Sequence, residues 1–140
     1  MVDRPETVSG MLAVGVIGNP VAHSLSPALH QPALDMLGIP ATYERWQTTT
    51  VELPARIASL RADGVLGANV TVPHKVAVIP LIDEVSDTAR RAGAVNTIIN
   101  QNGRLLGDNT DIYGFQTALQ QALGGRAPGA AVVLGAGGAA

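Results

Sequence analysis

The sequence predicts an α/β fold, a mainly parallel sheet with helices on both faces, and three observations carry that prediction. Short apolar runs closed by glycine, asparagine or proline alternate with longer segments whose apolar residues recur at helical spacing. Of the 140 residues, 46% are hydrophobic but only 3% aromatic, so Ala, Val, Leu and Ile must fill the core. The polar motifs follow the strand-like runs, and in such sheets ligands gather at the carboxyl ends of the strands.

Taken in order, Met11 to Ile17 is a short apolar run stopped by Gly18-Asn19-Pro20, which favours a buried strand. Ser26-Pro27 reads as a helix start with Ser26 at the N-cap, and Ala28, Leu29, Ala33, Leu34 and Leu37 form an apolar face that ends at Gly38. Pro32 falls inside this helix and is expected to kink it. Ala41 to Gln47 is a second strand, and Val51 to Ala62 a helix with Leu53, Ile57 and Leu60 inward. Val65 to Val72 is a third strand, Lys75 to Leu81 and Ser86 to Ala92 are helical pieces, and Ala94 to Asn100 is another strand.

Asn102-Gly103 is a hairpin turn signal, which makes Arg104 to Leu106 an antiparallel partner. Asp111 to Leu123 returns to helical spacing, with Ile112, Phe115, Leu119 and Leu123 on one stripe. Gly124 to Gly129 is a turn-rich connector, and Ala130 to Leu134 is an apolar run short enough only for a strand.

Composition removes several function classes. With no cysteine, disulfides, thiolate metal sites and cysteine nucleophiles are excluded, which fits a reducing cytoplasm. A formal charge of −2 without a basic cluster gives no footprint for nucleic acid. No apolar run approaches the roughly 20 residues that cross a bilayer, so a soluble protein without membrane contact is expected. His23 and His30 have no neighbours at metal-ligand spacing.

Four segments can carry chemistry. Ser24 and Ser26 lie before a helix N-terminus, where hydroxyls and unpaired N–H groups can receive a carboxylate; a local reading has Ser26 simply capping the helix. Asn69 and Thr71 alternate onto one face of the third strand. Pro73 ends that strand and displaces Lys75 toward a following helix start, where the dipole makes a positive charge unfavourable. Asn96 sits in a strand against its propensity, and Asp111 opens a helix; local alternatives are a turn or strand-end role for Asn96 and Asn109 and, favoured for Asp111 taken alone, an acid placed for the helix dipole. Finally, Gly135 to Ala140 fits G-x-G-x-x-G/A after an apolar run.

In chain order, HSLSP (His23 to Pro27), GANVTVPHK (Gly67 to Lys75), AGAVNTI (Ala92 to Ile98), GDNTD (Gly107 to Asp111) and the terminal GAGGAA resemble the shikimate dehydrogenase family. Each motif alone is weak, and their shared order from roughly Val14 to Ala140 is what makes the resemblance specific. It implies NADP-dependent, reversible reduction of 3-dehydroshikimate to shikimate, within chorismate and aromatic amino-acid biosynthesis. By the same resemblance Lys75 and Asp111 are catalytic, Ser24 and Ser26 hold the substrate carboxylate, and Asn69, Thr71 and Asn96 orient the ring with Lys75 and Asp111.

The resemblance further makes residues 1–123 a substrate-binding catalytic domain that includes the start of the linking helix region. Residues 124–140 become a connector, the first strand and the Gly-rich turn of an incomplete NADP-binding domain, with Gly135, Ala136, Gly137, Gly138 and Ala139 as part of the cofactor site. The chain is then expected to be a fragment that binds substrate weakly and does not turn over alone. An unpaired terminal strand would offer an edge to another chain, a homodimer among the possibilities. Two alternatives stand beside this: a quinate-using relative, and a non-catalytic shikimate-binding or regulatory module.

Two positions depart from the family pattern. Ile112-Tyr113 precede Gly114 where many members have glycine directly after the aspartate, a change expected to affect packing more than chemistry. His74 stands at a position that is commonly aromatic or histidine, and is expected to pack or to lie near substrate.

Overall fold

The computed structural model describes residues 10–127, 129–133, 135 and 137. Its elements run β1 (Leu12–Gly18), α1 (Ser26–Met36), β2 (Ala41–Gln47), α2 (Leu53–Ser59), β3 (Val65–Val70), a 3₁₀ turn (Ile79–Leu81), β4 (Glu84–Val85), α3 (Asp87–Ala92), β5 (Thr97–Gln101), β6 (Arg104–Asp108) and α4 (Asp111–Leu123). The strands form one sheet in the order β2-β1-β3-β5-β6-β4. β1 is parallel to β2 and β3, β4 is parallel to β6, and β5 opposes both of its neighbours. Five strands thus share one direction and β5 alone is reversed.

Side chains alternate across each strand, so register sorts them onto two faces. On one face Trp46, Ile17 and Val70 form a row, with Ala68 beside Ile98. Leu53 and Ile57 of α2, with Leu60, Val78, Val95 and Leu105, close over that row as the main core. The opposite face carries Tyr43, Val16 and Asn69, and α1 covers it by stacking His30 on Tyr43 with ring centroids 4.6 Å apart. Helices therefore lie on both faces, as the alternation of strand and helix signals predicts.

Backbone chemistry fixes two close approaches. Gly67, at φ +145°, lies so near the neighbouring strand that a Cβ would collide with the Ile98 carbonyl oxygen. The hairpin between β5 and β6 turns through Asn102 and Gly103, both at positive φ, as the Asn-Gly pair predicts.

Several expectations need correction. Ser26 is the first residue of α1, not its cap; Leu25 occupies the cap position, and Ser24 Oγ accepts the Ser26 N–H at 3.2 Å. The expected apolar face of α1 is largely exposed, with Leu29 and Leu37 both 71% accessible. This helix is anchored by polar contacts instead: Gln31 Nε2 donates to the Ala41 carbonyl at 3.0 Å, and Gln31 Oε1 accepts from the Tyr43 N–H at 2.8 Å. The α4 stripe is likewise open, Phe115 being 69% exposed.

No α-helix spans Lys75 to Leu81. The Lys75 carbonyl accepts from the Val95 N–H at 2.8 Å, so it is committed to a neighbouring segment, and only the short 3₁₀ turn forms. Lys75 therefore does not face a helix dipole. β4 is two residues long and too short to leave a period in sequence. Of the expected strand Ala130 to Leu134, residues 130–133 lie in no strand, and Leu134 lies outside the described residues. Val132 and Val133 are exposed, and among the described residues no strand lies beside them to satisfy their backbone groups.

Candidate active site

The predicted residues come together because of where the strands end. Ser24 and Ser26 follow the carboxyl end of β1, and Asn69, Thr71 and Lys75 lie at and beyond that of β3. β5 is reversed, so Asn96, just before it, joins the same edge of the sheet, and Asp111 follows the carboxyl end of β6. Thr71 continues the alternation of Asn69, and Gly18 makes room for it: a Cβ at Gly18 would collide with Thr71 Cγ2.

Lys75 Nζ donates to Asp111 Oδ2 at 2.6 Å. The lysine side chain is 14% exposed and the aspartate 49%, so the pair opens to solvent through its acidic member. Asn96 Nδ2 donates to the other carboxylate oxygen at 2.8 Å, while Asn96 Oδ1 accepts from the Thr110 N–H at 3.0 Å and from Thr97 Oγ1 at 2.9 Å. Asn96 is thus a buried amide with both ends occupied, and it lies in the bend before β5, not in the strand expected from the sequence, so strand propensity does not apply to it.

A second set of contacts leads away from Asp111. Asn69 Nδ2 approaches Thr97 Oγ1 at 3.4 Å, and Tyr43 donates to Asn69 Oδ1 at 2.6 Å. Burial pushes the Tyr43 phenol above its ordinary value, opposed by a hydrogen bond with Ser26. Ser24 and Ser26 are linked Oγ to Oγ at 3.1 Å, and Arg45 holds their loop by donating from Nη2 to the Ser24 carbonyl at 2.7 Å. Among the described residues, Thr71 makes no side-chain hydrogen bond to the rest of the group.

Similarity to known proteins shows the family of the chain. Residues 16–98 match the model described as the shikimate dehydrogenase substrate binding domain, a span of more than half the chain. The chain belongs to the shikimate dehydrogenase family. A shikimate dehydrogenase (NADP(+)) of Geobacillus kaustophilus is 52% identical over 127 residues, covering 90% of this chain and 46% of that protein. The crystal structure of shikimate 5-dehydrogenase from Thermus thermophilus in complex with shikimate superposes with a TM-score of 0.83 at 49% identity, covering 92% of this chain and 49% of that one. A ligand-free 5-ketofructose reductase of a Gluconobacter species has a TM-score of 0.75 at 29% identity, over 81% of this chain and 41% of its own. The chain spans about half the length of the curated relatives it matches.

Within the shikimate dehydrogenase match lie Ser24, Ser26, Asn69, Thr71, Lys75 and Asn96; Asp111 lies beyond it, and the fold brings it to the lysine. Tyr43, Thr97, Thr110 and Asn109 also serve the cluster, and the sequence reading assigns them no part in it. Tyr43 and Thr97 sit in ordinary strand positions, and only the register of β2, β3 and β5 shows that they share a face with Asn69. His74 is fully buried, with Nε2 2.6 Å from the Thr48 carbonyl oxygen, so it packs and anchors the turn and has no surface for a ligand. Among the described residues no group of three or more His, Cys, Asp or Glu is placed to hold a metal ion.

The expected cofactor residues fare differently. Gly135 has φ +103°, suited to a tight glycine turn, but residues 130–133 form no strand to present it. Gly137 is described and exposed, while Ala136, Gly138 and Ala139 lie outside the described residues.

Proposed function

We propose that this chain is the substrate-binding part of an NADP-dependent shikimate dehydrogenase, which reversibly reduces 3-dehydroshikimate to shikimate. Residues 1–123 then hold the substrate, and residues 124–140 lead into the nucleotide-binding part. The protein acts in the cytoplasm within chorismate biosynthesis. The observation that carries the proposal is the Lys75–Asp111 contact, with Asn96 on the second carboxylate oxygen.

Reducing a ketone to an alcohol adds a hydride to carbon and a proton to oxygen. NADP chemistry answers for the hydride, and the residues of this chain answer for the proton. Lys75 is the group that gives a proton to the carbonyl oxygen in reduction and takes it from the hydroxyl in oxidation. Asp111 and Asn96 hold the lysine in place, since the carboxylate is bound from one side by Nζ and from the other by the buried amide. Ser24 and Ser26 receive the substrate carboxylate at the far side, and Asn69 and Thr71 meet the ring oxygens; Asn96, expected to join them, has its amide committed to Asp111, Thr110 and Thr97 and supports the site from behind. A ligand held at both ends is oriented for transfer at one carbon, which converts an encounter into a positioned reaction.

The 49% identity to a shikimate-bound structure, against 29% to the ketofructose reductase, favours shikimate as the ligand. Separate calorimetric titrations of shikimate and NADP into the 140-residue chain test the proposal. Shikimate is expected to bind and NADP not to bind; absence of shikimate binding at millimolar concentration overturns it.

A further inference from the structure

The hydrogen bonds between Asp111 and Tyr43 have a single consistent direction. A carboxylate only accepts, so Asn96 must turn Nδ2 toward Asp111, as it does at 2.8 Å. That leaves Asn96 Oδ1 for Thr97, whose hydroxyl must then donate, at 2.9 Å. With its proton spent, Thr97 Oγ1 accepts from Asn69 Nδ2 at 3.4 Å. Asn69 is left presenting Oδ1 to Tyr43, whose hydroxyl donates to it at 2.6 Å.

Tyr43 is itself held on every side. Its ring is stacked on His30 with an 8° interplanar angle, its backbone N–H is bound by Gln31, and only 6% of the residue is exposed. A phenol so fixed offers its proton in one direction.

We propose that Tyr43 is a positioning residue of the substrate site: its hydroxyl closes the ordered chain from Asp111 and locks the Asn69 amide with Nδ2 directed away from β2. The locked amide spends one Nδ2 proton on Thr97 and keeps the other for ligand. The group it selects is a ring oxygen, which accepts equally well as hydroxyl or ketone, so the contact persists through both redox states. For its ligand the inference rests on the shikimate reading above; the network itself does not depend on it.

The test is Tyr43→Phe, which keeps the ring, the His30 stack and the Gln31 bonds and removes only the hydroxyl. In the ligand-free chain, the Asn69 side-chain amide signals in a ¹⁵N-correlated NMR spectrum are expected to shift and become mobile while core methyl signals stay in place. Shikimate affinity is expected to fall about tenfold, the scale of one lost hydrogen bond. In Asn69→Ala the further loss on adding Tyr43→Phe is expected to shrink to less than about twofold, because both variants remove one coupled unit. Unchanged Asn69 amide signals, or full additivity of the two affinity losses, overturns the role of Tyr43. If the wild-type chain fails to bind shikimate, the functional proposal falls, and the amide signals still decide the positioning role.

Discussion

Asn109 Oδ1 accepts the backbone N–H of Asp111 at 3.0 Å, so the asparagine two residues upstream fixes where the acid begins α4. The same oxygen accepts from the Ile112 N–H at 3.3 Å, and the Asn109 amide donates to the Ala94 carbonyl at 2.9 Å from a buried position. Asn109, one residue ahead of the cap position at Thr110, therefore satisfies the first two N–H groups of α4 and ties its first turn to the segment before β5. Asn109→Ala removes both, and a loss of about 1–2 kcal/mol is expected in urea unfolding. Asp111 would lose its fixed start as well, so shikimate affinity should fall in the same variant.

Lys75→Ala, made in the enzyme that includes the nucleotide-binding half, should lower kcat by about 10² to 10⁴ while KM changes little. Steady-state kinetics in both directions check this. The split matters, because a lysine that only held substrate would raise KM and spare kcat.

Gly67→Ala tests the packing of β3 against β5. The added Cβ meets the Ile98 carbonyl oxygen, and a positive φ is unfavourable for alanine in any case. Neither backbone segment can withdraw without breaking the ladder that aligns Asn69 with Thr97. Destabilisation of about 3 kcal/mol or more is expected, read by thermal or urea unfolding.

Acid should weaken a tie at the opposite end of the sheet. Arg61 holds the Asp83 carboxyl below the usual carboxylate range, and the Leu105 N–H adds to this by donating to it at 2.7 Å. A carboxyl whose folded value is depressed contributes stability above its unfolded value, about 3.9, and loses it as pH falls through the lower folded value. Asp83→Asn is therefore expected to lower stability at pH 7 and to match the wild type at acid pH, once below the depressed folded value. Urea unfolding at the two pH values decides it, and because the group is exposed the difference at neutral pH should shrink in high salt.

The sequence made the sheet legible where local chemistry decides structure. Ala41 to Gln47 and Asp111 to Leu123 match β2 and α4 residue for residue, and Leu53, Ile57 and Leu60 are buried as their spacing predicts. It is less legible where distant partners decide. Leu29 and Leu37 have helical spacing yet face solvent, because Gln31 secures α1 through the backbone of β2. Lys75 is expected at the start of a helix that does not form, since its carbonyl answers to Val95. For the candidate site, motif order names the serines, Asn69, Asn96, Lys75 and Asp111. It passes over Tyr43 and Thr97, whose membership follows only from strand register.

The central claim is that Lys75 serves the oxygen at which reduction occurs, and a crystal structure of the chain with shikimate tests it most directly. The account predicts Lys75 Nζ within about 2.6–3.2 Å of the hydroxyl that is oxidised, with Asp111 beside the same oxygen and the substrate carboxylate on Ser24 and Ser26. A shikimate molecule whose ring hydroxyls all lie beyond about 5 Å from Lys75 Nζ, or whose carboxylate occupies the lysine in place of the serines, would contradict it.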